Sequence, residues 1–226
     1  MLNILVVGAD RGIAKEICRQ LDARGERVIA ACLGDGSGFA KEGPDPIGGI
    51  DVTAAEAPRK LMDALRKRQV RLDWVLHVAG VLGLDQLGEI NYDDMRRQIE
   101  INTLGPLRIA EACVPLMAPG SKLGIVTSRV GSLGDNGSGG MYAYRVSKAG
   151  ANMVALNLHH DLSKRGIAVV ALHPGMVATD LTKDYPGNFK YIQPDEAARG
   201  LISRMDELDL SNSGQFRHAN GEKLLW

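Results

Sequence analysis

The stretch VVGADRGIA, residues 6–14, runs an apolar strand pattern straight into Gly8, and Gly12 opens a helical pattern four residues later. Glycines at those two places permit a tight turn and let backbone approach a pyrophosphate closely. The helix that follows offers free N–H groups and the positive end of its dipole. Ala14 stands where a third glycine is usual and is small enough for close helix–strand packing. A plain strand-to-helix turn uses the same residues. The strand before and the helix after favour a dinucleotide site built from Gly8, Asp10, Arg11, Gly12 and Ile13.

Outward from that turn, short apolar runs alternate with longer amphipathic segments, the pattern of a parallel sheet covered by helices. Strands are expected at NILVVG, RVIAAC, a weak GGIDV, LDWVLHVAG, LGIVTS, IAVVALHPG and GQFRHA, with helices near 12–24, 54–69, 92–117, 142–165 and 194–208. Residues 34–49, rich in Gly and Pro, read as loop. The expectation is one α/β domain over residues 1–226, a Rossmann-type doubly wound, mostly parallel seven-stranded sheet with helices on both faces.

Composition narrows the function. Lys plus Arg number 27, as do Asp plus Glu, so no net field recruits nucleic acid or an anionic membrane. Aromatics make up 4% of the chain, too few for a single-strand stacking surface. Cys18, Cys32 and Cys113 lack metal-type spacing and read as small buried residues of a reducing compartment. The N-terminus has no basic leading segment, and no apolar run spans a bilayer, so a cytoplasmic location is expected.

Further motifs fall at predicted carboxyl ends of strands, where doubly wound sheets bind ligands. They are Asp51–Val52, HVAG with Ala79 and Gly80, Ser128 in IVTSRVGS, and HPGMVATDL with Pro174, Gly175, Val177 and Thr179. Asn102 lies inside an apolar helical pattern, where a buried amide needs partners or distorts the helix. In YAYRVSK, residues 142–148, Tyr144 and Lys148 stand four apart and share a helix face.

In this order and on these elements, the motifs resemble the short-chain dehydrogenase/reductase family over essentially the whole chain. Residues 128–148 and the tail GEKLLW look like its carbonyl-reductase-like branch, which includes the sniffer and C-factor proteins. The resemblance implies a catalytic set of Asn102, Ser128, Tyr144 and Lys148. Tyr144 exchanges a proton with the substrate oxygen, Ser128 holds that oxygen, and Asn102 positions a water leading from Lys148 to solvent. A lysine about 4 Å from the phenol would lower its pKa by roughly three units at an effective dielectric of ~20. Tyr144 and Lys148 would also touch the cofactor. The implied reaction reduces a small-molecule carbonyl group, or oxidises an alcohol, with NADP(H). NAD is possible, and a regulatory protein with little turnover is the alternative of another class. Val78 departs from the family's Asn, Asp10 from its Ser or Asn, and Ser128 precedes Tyr144 by an unusually long sixteen residues. Ser132 rivals Ser128 for the serine role. The NADPH preference rests on Arg11, beside a second strand ending at uncharged Cys32, with Asp35 as a complication. A short segment after Thr179 implies an open substrate pocket, and the apolar helices at 92–117 and 142–165 imply a homodimer.

Overall fold

The structure is a computed structural model that describes residues 1–39, 43–185 and 187–226. Seven strands, β1 (Asn3–Val7), β2 (Arg27–Ala31), β3 (Asp45–Ile47), β4 (Leu72–His77), β5 (Met117–Val126), β6 (Ala168–His173) and β7 (Gln215–His218), form one sheet in the order β3-β2-β1-β4-β5-β6-β7. Every pairing is parallel. The chain winds outward from β1 to β3, crosses back, and continues from β4 to β7. The reversal leaves a crevice between the carboxyl ends of β1 and β4.

Alternation along the strands divides the core in two. Leu5, Val7, Val75, Leu123, Ile125 and Val169 face α2 (Ala57–Lys67), α4 (Gly105–Cys113) and α5 (Tyr142–Leu162), which bury Leu61, Ile109 and Ala155 against them. Ile4, Val6, Trp74, Leu76 and Val170 face α1 (Gly12–Ala23) and α6 (Pro194–Glu207), which contribute Ile17, Leu21, Leu201 and Met205. Cys18, Cys32 and Cys113 are buried as small core residues.

Two expectations need correction. The third strand is Asp45–Ile47, inside the stretch read as loop, and GGIDV follows it as irregular chain. A short edge strand tolerates Pro46 because it has a neighbour on one side only. Arg68 secures it, donating to the Asp45 carboxylate at 2.7 and 2.9 Å and to the Pro46 carbonyl at 3.1 Å. Residues 40–42 of the expected loop lie outside the described residues.

The helix expected over 92–117 is broken. α3 (Tyr92–Ile99) passes into a π turn at Glu100–Leu104 before α4, and β5 already begins at Met117. Pro106 has no N–H for the carbonyl four residues back, and the Gly105 N–H donates to Glu100 instead, five residues back.

Candidate active site

The crevice is shaped for a dinucleotide. Gly8 has φ +84°, and a Cβ there would lie 2.7 Å from the Ala79 backbone, so the β1 and β4 ends touch only because residue 8 has no side chain. The Val7 carbonyl accepts from the N–H groups of both Val78 and Ala79. Gly12 has φ +57° and starts α1, whose N-terminus carries no side-chain cap. Its first amides are thus placed for an anionic group. Ile13 and Val78 pack on the α1 side of the core. Thr179 approaches the glycine turn, its Cγ2 3.6 Å from where a Cβ on Gly12 would stand. Pro174 and Gly175 leave β6, and Val177 is buried and bridges to Ile192. Asp51 curls onto Thr53, accepting from its N–H and hydroxyl, while Val52 packs against Gly105. A nicotinamide dinucleotide fits this cradle.

At the crevice floor the structure gathers Asn102, Ser128, Tyr144 and Lys148, all buried. Asn102 reaches across from the π turn. Its Oδ1 accepts from Val81 N–H at 2.9 Å, and its Nδ2 donates to the Val81 carbonyl at 2.8 Å and to Ser147 Oγ at 2.9 Å. Ser147 in turn donates to the Tyr144 carbonyl at 2.8 Å. One amide therefore ties the chain after β4 to the first turn of α5. A Cβ on Gly80 would stand 3.2 Å from both Asn102 Oδ1 and Lys148 Nζ, so the missing side chain keeps open the space those groups share. Ser132 donates to the Trp226 carbonyl and accepts from Asp135 N–H, so its hydroxyl is committed to the tail.

The electrostatics differ from the sequence expectation. Burial pushes the Tyr144 phenol up to about 12, and the Ser128 hydrogen bond pulls it down. Lys148 does not supply that lowering in this geometry. Its Nζ lies 5.8 Å from the Tyr144 ring centroid, donates to the Val126 carbonyl at 3.3 Å, and is itself brought down by burial to about 8. Desolvation outweighs the lysine's field here.

Three contributors escaped the sequence reading. Asp85 accepts from the N–H groups of Tyr142 and, at 2.9 Å, Ala143, and its carbonyl accepts from Met141 N–H at 3.1 Å. The available signal was the lack of any Ser, Thr, Asp or Asn just before α5. Ser147 links Asn102 to Tyr144, and Tyr185, from the segment over the site, stands near enough to raise the Tyr144 pKa further.

The chain belongs to the short-chain dehydrogenase family, whose model matches residues 2–188. It is an oxidoreductase of that family. It is 60% identical, over 226 residues and the full length of both chains, to 1-hydroxy-2-glutathionyl-2-methyl-3-butene dehydrogenase of Rhodococcus sp. (strain AD45). It is 39% identical to the C-signal protein of Myxococcus xanthus over 158 residues, 69% of this chain and 93% of that one. Among solved structures, the carbonyl reductase Sniffer of D. melanogaster superposes with a TM-score of 0.90 at 24% identity, covering 100% of both chains. The NADPH-bound carbonyl reductase from chicken fatty liver gives 0.89 at 24% identity, covering 100% of this chain and 99% of that one. Among the described residues, no helix is long and apolar enough to cross a membrane.

Proposed function

We propose that the chain interconverts an alcohol and its carbonyl compound with NAD(P)(H), on a small molecule of the glutathionyl-alcohol type named in the Rhodococcus relative. The observation that carries this reading is the buried Tyr144 with Ser128 near enough to pull its pKa down, at the floor of a crevice fit for a dinucleotide. The substrate class rests on the 60% identity across both full chains.

The nicotinamide, when bound, gives or takes the hydride. The chain's residues handle the proton and the oxygen. Tyr144 is a neutral phenol at neutral pH, the form that donates to a carbonyl oxygen. Ser128 donates to the same oxygen as negative charge develops on it. Lys148 offers an ammonium whose pKa of about 8 lets it exchange its proton near neutrality. Asn102 holds the turn at Val81 and, through Ser147, the Tyr144 backbone, so that hydroxyl and crevice stay in register. Arg11 is the cation the sequence points to for NADP, but in the structure it pairs with Asp180 at 3.2 Å, and a neutral Cys32 leaves NAD acceptable.

The test is Tyr144→Phe, which removes one hydroxyl and keeps the ring. Turnover of a glutathionyl alcohol, followed by the absorbance of reduced nicotinamide, is expected to fall by ~10²–10⁴-fold, with nucleotide affinity kept within a few-fold. Activity close to wild type would make Tyr144 a packing residue. Tight nucleotide binding without turnover of any alcohol, aldehyde, ketone or quinone would favour the regulatory reading.

A further inference from the structure

The chain after β2, residues 32–36, lies where doubly wound folds receive the adenosine ribose, and an acidic residue there selects NAD over NADP. Position 32 is the neutral Cys32, so the strand itself supplies no such charge. The structure brings one from another element. Asp10, in the glycine turn, directs its carboxylate onto this loop. Its Oδ2 accepts from Leu33 N–H and its Oδ1 from Gly34 N–H, each at 2.8 Å. A Cβ on Gly34 would stand 3.1 Å from Asp10 Oδ1, so the glycine leaves room for the contact. The carboxylate is close enough to add to the burial that raises the Cys32 thiol, and its effect exceeds the opposing field of Lys15.

Both backbone donors that an incoming phosphate would use at residues 33 and 34 are therefore already taken by an anion. The side chains do little to reverse this. Leu33 is neutral and exposed. Asp35, the second carboxylate of the loop, accepts from Ser37 N–H. Lys15 donates to the Gly38 carbonyl at 3.3 Å and lies 5.5 Å from the Phe39 ring centroid. Arg11, the cation expected to favour NADP, points to Asp180 at 3.2 Å.

We propose that Asp10 is a nucleotide-specificity residue: by holding the loop after β2 it admits the free ribose of NAD(H) and disfavours the 2′-phosphate of NADP(H). This rests on the nicotinamide reading above and deepens it. The experiment is titration of the folded protein with NADH and NADPH, by nucleotide fluorescence and calorimetry, for wild type, Asp10→Asn and Asp10→Ser. Wild type is expected to bind NADH more tightly. Each neutral variant is expected to tighten NADPH about fivefold or more, with NADH changing by no more than about twofold, because only the phosphorylated ligand meets the removed charge. A wild type that favours NADPH overturns the proposal. So does a variant that weakens both nucleotides alike, which would make Asp10 a brace for the loop and nothing more. If neither variant folds, the wild-type ratio decides alone. Failure of wild type to bind either nucleotide would overturn the nicotinamide reading itself, an outcome separate from a wrong preference.

Discussion

Tyr144 and Lys148 are two side chains whose chemistry is set by burial more than by their neighbours' charges. Because the phenol is neutral below its raised pKa, carbonyl reduction is expected to hold through neutral pH and decline at the alkaline end, while alcohol oxidation rises with pH. Ser128 is the group that lowers that pKa, so Ser128→Ala is expected to move both limbs to higher pH as well as lowering the rate. Profiles of kcat/KM against pH in each direction check this; limbs that stay in place would separate Ser128 from Tyr144. Lys148 gives a stability prediction. Its folded pKa is depressed from 10.5 to about 8, so the fold disfavours the charged form. That penalty is complete below about 8 and fades as pH rises toward 10.5. Lys148→Met removes it but orphans the Val126 carbonyl, for a net gain of about 2 kcal/mol at pH 7. The expected result is a melting temperature several degrees higher at pH 7, a smaller gain above pH 10, and a loss of turnover. The spacing of Tyr144 and Lys148 was readable in the sequence, because i and i+4 on a helix must share a face. Their burial was not, since it depends on β5 and the chain after β4 closing over them.

α5 is the element that would carry the proton chemistry in the proposed reaction, and its start is held from a distance. Met141 is in the left-handed region at φ +48° and offers no side-chain cap. The Asp85 carboxylate replaces a local cap with two charge-assisted bonds at the positive end of the helix dipole. Asp85→Ala is expected to cost about 1–2 kcal/mol of stability, in the range of a lost cap. Because Tyr144 sits in the turn that frays, kcat is expected to fall by more than nucleotide affinity does. Asp85→Asn, which keeps one acceptor, should recover part of kcat. Denaturant melts and steady-state kinetics on both variants check this, and equal loss in kcat and affinity would point to general loosening. The break at Asn102 has a similar history. Asn102 was visible as an amide that needs partners or distorts its helix, but the partners, Val81 and Ser147, reach it only once the helix docks.

For the whole molecule, the helix pair α4 and α5 leaves apolar side chains uncovered. Leu107 on α4 and Val146 and Met153 on α5 are exposed, while Ile109 and Ala155 of the same helices fill the core. Val146 and Met153 are seven apart and lie on one face. A homodimer through these helices is the expected assembly. Light scattering at micromolar concentration should report about twice the 24.3 kDa of one chain, and Met153→Glu should shift it toward the single chain. A wild type that scatters as a monomer would rule the assembly out.

At this scale, local pattern determined the winding of the chain. Strand and helix periods differ, and a glycine turn joining the first strand to the first helix leaves few topologies open. That was enough to place Gly8, Gly12, Ser128, Tyr144 and Lys148 at one edge of a parallel sheet. It failed at β3, a three-residue strand whose Pro46 and flanking glycines carry no strand period and which is held by Arg68 just past α2. It failed in the same way for the contacts of Asp10, Asp85 and Ser147. Each acts on backbone or side chains that lie 23 to 58 positions away along the chain. Short-range pattern decides what an element is. Which carboxylate reaches the loop after β2, and which one caps α5, was decided only when distant segments packed together, because a hydrogen bond depends on separation in space.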